Sequence, residues 1–126
     1  MVYSSCSLSL AAIELFVHLE PSQAPPDLVS IAAELPDGEP TLQWSIADLP
    51  MSWSTDELGP VRRLGDTWIE SLSSLAVRVP SVPIPQEWNL LLNPRHPRMR
   101  ELKIEQPEPF RFDARMFGPR ASASAH

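Results

Sequence analysis

The chain has 126 residues, 43% of them hydrophobic and 21% charged, enough for one core and too apolar for a disordered protein. Its net charge of −6 argues against nucleic acid as a partner, because phosphate contacts dominate that affinity. No run of about 18 apolar residues is present to span a membrane, no basic segment precedes the first apolar stretch as in a signal peptide, and the single cysteine, Cys6, has no internal disulfide partner, so the expected setting is a reducing cytoplasm.

In chain order, Met1 to Ser4 reads as a short strand. Ser5 or Ser7 is placed to cap a helix running to about His18. Leu8, Ala11, Ala12, Leu15, Phe16 and Leu19 fall on one side of that helix, and Leu10, Ile13 and Val17 form a second apolar row. A helix apolar on nearly all sides is expected in a core. Glu14 and His18 stand four apart and share a face. Glu14 has two readings: a carboxylate reaching an edge to pair with a base, or one held in a desolvated pocket, where it stabilises positive charge or takes a proton. His18 reads as structural, a cation at the helix C-terminus. Cys6 lacks a basic neighbour and reads as a small buried residue rather than a nucleophile.

Pro21 to Pro26 breaks the chain. Leu28 to Leu35 alternates as a strand, Pro36-Asp37-Gly38 is a turn, and Thr41 to Ile46 is a second strand. Leu49-Pro50 and Trp53 form a loop. A helical period runs from Leu58 to Leu72, through Val61, Leu64, Trp68 and Ile69. Leu75 to Val79 is a strand.

Val79 to Pro97 holds five prolines. Proline fixes φ and removes a donor, so this stretch is expected to be neither a helix nor a central strand. Val79, Val82, Ile84, Trp88 and three consecutive leucines nevertheless call for burial. A rigid, buried, irregular segment is where binding residues are displayed. Ser81, at its head, reads as a turn residue or as a ligand-binding hydroxyl; no Gly-x-Ser-x-Gly elbow surrounds it, so a hydrolase triad is unsupported. Asn89, Asn93 and His96 are suited to tying the loop together. His18 and His96 lack metal-ligand partners at recognisable spacing. Arg95, Arg98, Arg100 and Lys103 form a basic cluster, either a solvated face beside acidic neighbours or a contact for a phosphate-bearing ligand or acidic partner. Glu101 to Ile104 and Phe110 to Phe112 read as short strands, with Pro107 and Pro109 confining the second to an edge. The domain is expected to span 1–117, with 118–126 a disordered tail. The fold class is α+β, with a mostly antiparallel or mixed sheet and flanking helices.

Several of these pieces combine. They are Tyr3-Ser4-Ser5, Ser7 to Glu14 and Val17-His18; then Leu49-Pro50 with Trp53, and Gly65 to Ile69; then Val79-Pro80-Ser81, Glu87-Trp88-Asn89, Leu92-Asn93-Pro94 and His96-Pro97; and last Phe112-Asp113-Ala114-Arg115. In this order, from about Val2 to Met116, they resemble the RES domain family. The resemblance implies an ADP-ribosyltransferase-like fold, with Phe112 to Arg115 in its closing strand. It also implies the toxin of a bacterial type II toxin–antitoxin pair, with an Xre-type antitoxin as partner. NAD is then the substrate, cleaved at the nicotinamide–ribose bond by an NAD phosphorylase or glycohydrolase, with water or phosphate as acceptor and no metal. The alternative within the family is transfer of ADP-ribose to a protein. The family's site combines an arginine, a tyrosine, a glutamate and a serine, and by position the last three fall on Tyr3, Glu14 and Ser81. The expected cleft lies between the first helix and the Val79–Pro97 segment. The family's arginine lies upstream of its tyrosine, and nothing here stands at a matching position. The expectation is therefore a domain lacking its N-terminal segment, whether as a fragment, through a start assigned too late or as a degenerate member, and a non-catalytic module that only binds the antitoxin is the competing reading.

Overall fold

Local patterns place most elements. In the computed structural model, which describes residues 1–20, 25–55 and 59–117, they are β1 (Val2–Ser5), α1 (Leu8–Phe16), β2 (Val29–Ser30), β3 (Ala33–Glu34), β4 (Thr41–Gln43), α2 (Gly59–Ser71), β5 (Ala76–Pro80), β6 (Trp88–Leu92), β7 (Lys103–Ile104) and β8 (Glu108–Pro109). The fold is α+β, as expected. The main sheet is mixed, in the order β1-β6-β5-β4. β6 pairs antiparallel with both β1 and β5, while β4 runs parallel to β5. A parallel pair needs a crossover, and α2 supplies it.

The centre of the sheet corrects one expectation. β6 lies inside Val79–Pro97 and is a central strand. The prolines sit at 80, 83 and 85 on one side and 94 and 97 on the other. The proline-free residues between them keep every donor that two neighbours require. Leu91 and Leu92 are buried there, facing Val77 and Ala76 of β5.

Trp68 of α2 packs on Val77, Val79 and Leu91, with Trp44 and Ile69 at the margin. Trp44 meets Trp68 edge-on with centroids 6.2 Å apart. The buried indole N–H of Trp68 donates to Ser74 Oγ at 3.0 Å, and the Ser74 hydroxyl donates in turn to the Ala76 carbonyl at 2.8 Å. Burying side chains of this size contributes about 1.5–3 kcal/mol each. Gly65 lets α2 approach the N-terminus: a Cβ there would stand 2.7 Å from the Met1 methyl carbon.

α1 begins at Ser7, whose hydroxyl accepts from Leu10 N. It is not the enclosed helix its composition suggests. Only Leu10 is buried, while Leu8, Leu15 and Val17 are 55%, 39% and 53% exposed. One flank of α1 meets the fold and the other faces out. Its far end is held by aromatic rings: Phe16 contacts Phe112 and Phe117, and Phe110 contacts Phe112. These four are all the phenylalanines of the chain. Cys6, in the turn between β1 and α1, is exposed rather than buried, because that turn carries its side chain off the sheet.

The expected strand Leu28–Leu35 forms as β2 and β3, antiparallel to β8 and β7 respectively. Between the two ladders, the step from Ser30 to Ala33 is matched by the longer step from Glu108 back to Ile104. That one-residue slip is a bulge, and Pro107, which cannot donate, lies in it. The strand expected at Phe110–Phe112 is displaced to Glu108–Pro109, and Ala114–Phe117 is a 3-10 turn rather than a closing strand. Asp113 accepts from Arg115 N there, which folds the backbone back on itself. Glu101 closes another 3-10 turn, Pro97–Glu101, leaving only Lys103–Ile104 extended. The tail 118–126 lies outside the described residues. Among those described, no helix is long and apolar enough to cross a membrane.

Candidate active site

Asn89 breaks the local rules of a buried central strand. Asparagine is depleted in strands, and a buried amide must find partners for both its ends. On β6, Asn89 shares one face with Leu91, Val79 and Val77, because residues opposite each other in an antiparallel pair point the same way. Those neighbours belong to the apolar core. Asn89 is fully buried beside them, opposite Ser5 of β1.

Every polar atom of that amide is engaged. Ser5 Oγ donates to Asn89 Oδ1 at 2.6 Å. The Asn89 amide nitrogen donates to Tyr3 Oη at 3.2 Å and to Glu14 Oε2. Tyr3, from the edge strand, and Glu14, from α1, thus meet on one amide from the sheet centre. Tyr3 is 60% exposed as a residue, yet its hydroxyl end lies against protein. Desolvation there, then the Glu14 charge, raises its pKa above the ordinary 10.0, against the smaller lowering by the Asn89 hydrogen bond. Among the described residues, Glu14 Oε1 receives no hydrogen bond, no cation pairs with Glu14, and the Tyr3 hydroxyl proton has no acceptor. The site therefore offers an acceptor that carries negative charge beside a neutral donor.

Ser81 is placed differently. It is 0% exposed, and its hydroxyl accepts from Ile84 N at 3.2 Å while its own N–H donates to the Glu87 carbonyl at 2.9 Å. It braces the turn that leads into β6. No hydrogen bond links it to Tyr3, Glu14 or Asn89. His18 follows α1 and is exposed; no hydrogen bond joins it to Glu14 among the described residues.

Asn93 and His96 act as the sequence suggests, in tying chain together. Asn93 Nδ2 donates to the Ile69 carbonyl, and its Oδ1 accepts from Arg95 N. His96 Nδ1 accepts from Arg98 N. Two members of the basic cluster, Arg98 and Lys103, are paired locally. Arg98 bonds Glu39 at 2.8 Å and Glu101 at 3.0 Å, and Lys103 lies 3.8 Å from Glu34. Glu39 is itself nearly buried, accepts from Leu75 N at 3.2 Å and stands 3.8 Å from His96 Nε2. No group of three or more His, Cys, Asp or Glu capable of holding a metal occurs among the described residues.

Sequence reasoning gave Asn89 a scaffolding role and missed its hold on Glu14 and Tyr3. The signal was an amide at an inward position of Trp-Asn-Leu-Leu-Leu, hidden by the flanking prolines.

Comparison with known proteins agrees with the ordered motifs. The RES domain family model matches residues 1–113. The Prs ADP-ribosylating toxin of Sphingobium sp. (strain YBL2) is 33% identical over 120 residues, covering 92% of this chain and 74% of that protein. A protein named Toxin Res from Yersinia enterocolitica is 37% identical over 117 residues, 91% of this chain and 76% of its own. Another Toxin Res, from Pseudomonas putida, is 38% identical over 120 residues, 93% of this chain and 79% of its own.

Proposed function

The chain belongs to the RES domain family, and from that premise we propose that it is a toxin that cleaves NAD between nicotinamide and ribose. The observation that carries the reading is the meeting of Tyr3 and Glu14 on the Asn89 amide, since these are the two residues that the family pattern singles out near the N-terminus. In the reaction the ribose C1′–nitrogen bond breaks and its electron pair leaves with nicotinamide. A water or phosphate oxygen forms the new bond at C1′ and releases its proton to solvent. Positive charge grows on the ribose as the bond lengthens. Glu14, with no cation to neutralise it, stabilises that charge or holds the ribose hydroxyls. The Tyr3 hydroxyl donates to a nucleotide oxygen, and its ring packs beside it. Ser81 enters through the turn it braces: fully buried, it reaches a nucleotide oxygen only when that turn opens. Nothing in this scheme calls for a metal, and the partner that restrains such a toxin is an antitoxin of the Xre type, acting in the cytoplasm.

The name of the Sphingobium relative favours a second reading, in which the acceptor is a protein side chain. One assay separates the two. The chain is incubated with NAD labelled in its ADP-ribose half, with phosphate and with a bacterial lysate in turn. Nicotinamide release with the label in small molecules supports cleavage; label on protein supports transfer. No nicotinamide release in any arm sinks both, and co-elution with a candidate antitoxin on size exclusion would then mark a binding module.

A further inference from the structure

Asn89 has no exposed surface, so it acts on any ligand only through its neighbours. What it does to them follows from the geometry of an amide. A carboxamide has one acceptor end and one donor end, related by a flip that barely changes its shape. Glu14 removes the ambiguity: a carboxylate only accepts, so the amide nitrogen must face it. The Ser5 hydroxyl, able to serve either end, then donates to Asn89 Oδ1 at 2.6 Å, while the neighbouring Ser4 hydroxyl donates to the Leu90 carbonyl. With the oxygen turned to Ser5, both amide hydrogens point at Tyr3 and Glu14. Tyr3 is then an acceptor toward Asn89, and its single proton is released for a ligand. Glu14 is likewise satisfied on one oxygen and open on the other. The flipped amide would set its oxygen against the carboxylate, an acceptor facing an acceptor.

We propose that Asn89, backed by the Ser5 hydroxyl, is the positioning residue of the site, holding Glu14 as an open carboxylate acceptor and Tyr3 as a neutral donor side by side. The ligand chemistry that fits this pair is two neighbouring hydroxyls on one sugar, one donating to Glu14 Oε1 and one accepting from Tyr3. The proposal rests on the NAD reading for its reaction but not for its geometry, so it has two separate readouts.

The first readout uses the fact that Tyr3 is the only tyrosine. A ring-labelled sample gives one 13Cζ resonance whose shift follows its ionisation. Burial and the Glu14 charge hold the hydroxyl protonated above pH 10.0, and the Asn89 donor opposes them. Asn89→Leu should therefore push the titration higher still, and Glu14→Gln should bring it back toward the ordinary value. The second readout is nicotinamide release across pH. Asn89→Leu should lower kcat by about 30- to 100-fold with KM changed less than about threefold, as expected when a reacting group is misplaced. Asn89→Asp keeps the shape but donates only while the new carboxyl holds a proton. Its rate should recover toward wild type as the pH falls and drop as it rises, a limb the wild type lacks. Ser5→Ala should give a smaller loss, about 3- to 10-fold, by leaving the amide oxygen without its donor and the amide less firmly held.

A purely structural role predicts neither the displaced tyrosine titration nor the new pH limb. If Asn89→Leu is folded and leaves Tyr3 titrating as in wild type, the proposal is overturned whatever the enzyme does. If Asn89→Leu fails to fold, Asn89→Asp decides alone: a flat ratio to wild type across pH overturns the proposal. If wild type releases no nicotinamide, the NAD reading falls, and the tyrosine titrations of Asn89→Leu, Asn89→Asp and Ser5→Ala still decide the positioning.

Discussion

Glu14 and Glu39 are two glutamates drawn into the same small fold, and they are treated in opposite ways. Glu39 is surrounded by partners: the Arg98 guanidinium, a countercharge, at 2.8 Å, the Leu75 amide, a donor, at 3.2 Å, and the His96 ring at 3.8 Å. Every bond it makes joins one part of the chain to another. Glu14 is met by a neutral amide on one oxygen and by nothing on the other among the described residues. A carboxylate left without a countercharge contributes little to holding a fold together, and its value must be sought in what it does to a bound molecule. The difference teaches how to tell an acid used up in holding the fold from one left open to a ligand here: by its partners, since both lie partly inside the protein.

The comparison can be broken most directly at Glu14. Glu14→Gln should lower NAD cleavage by about 10²- to 10³-fold, the scale for removing a charge that faces one developing in the transition state, while stability by urea unfolding moves by less than about 1 kcal/mol. Glu39→Ala should do the reverse. It leaves the buried Leu75 N–H without its acceptor, a loss of about 1–3 kcal/mol read from the urea midpoint, with kcat per folded molecule unchanged. If each substitution produced the other's effect, the assignment of roles would be inverted. A smaller effect sharpens the picture at the outer end of the Glu39 network. Glu101 is held below its ordinary value of 4.5, first by its hydrogen bond to Arg98. A carboxyl depressed on folding adds stability above that ordinary value, and this is lost as the pH falls through the lowered one. Unfolding followed from pH 6 downward in wild type and in Glu101→Gln should show a slight acid-sensitive difference, reduced by salt because the pair is exposed.

Tyr3 and Glu14 were legible in the sequence because they lie within one short stretch whose pattern resembles a known family. The helix bearing Glu14 was legible too, from Ser7 and the apolar spacing after it. Its surroundings were not: apolar composition predicts burial, but α1 packs on one flank only, and nothing local reveals which flank a neighbour will cover. The central place of β6 was hidden for a different reason. Proline is a strong negative signal when averaged over nineteen residues, but it acts one residue at a time, and Trp88–Leu92 contains none. Asn89 was noticed as a hydrogen-bonding residue and assigned to the wrong audience, since a strand register with β1 is a long-range fact. Ser81 is the one member of the family pattern that the fold sets apart from Tyr3 and Glu14: its hydroxyl accepts from Ile84 N within its own turn. The split of the Leu28–Leu35 strand depends on Pro107, far along the chain, and on a pairing that no window of sequence contains.

The bond between Ser4 and Leu90 closes a separation of 86 residues, and that between Asn89 and Glu14 one of 75. Tyr3 and Glu14 leave the ribosome well before Asn89, the residue whose amide sets them. Phe112, which packs against the end of α1, comes later still. Until those residues emerge, a nascent chain carries both side chains without the amide that orients them. The order of synthesis itself thus delays that arrangement until Asn89 has emerged, and chains cut short before it carry the parts without the arrangement.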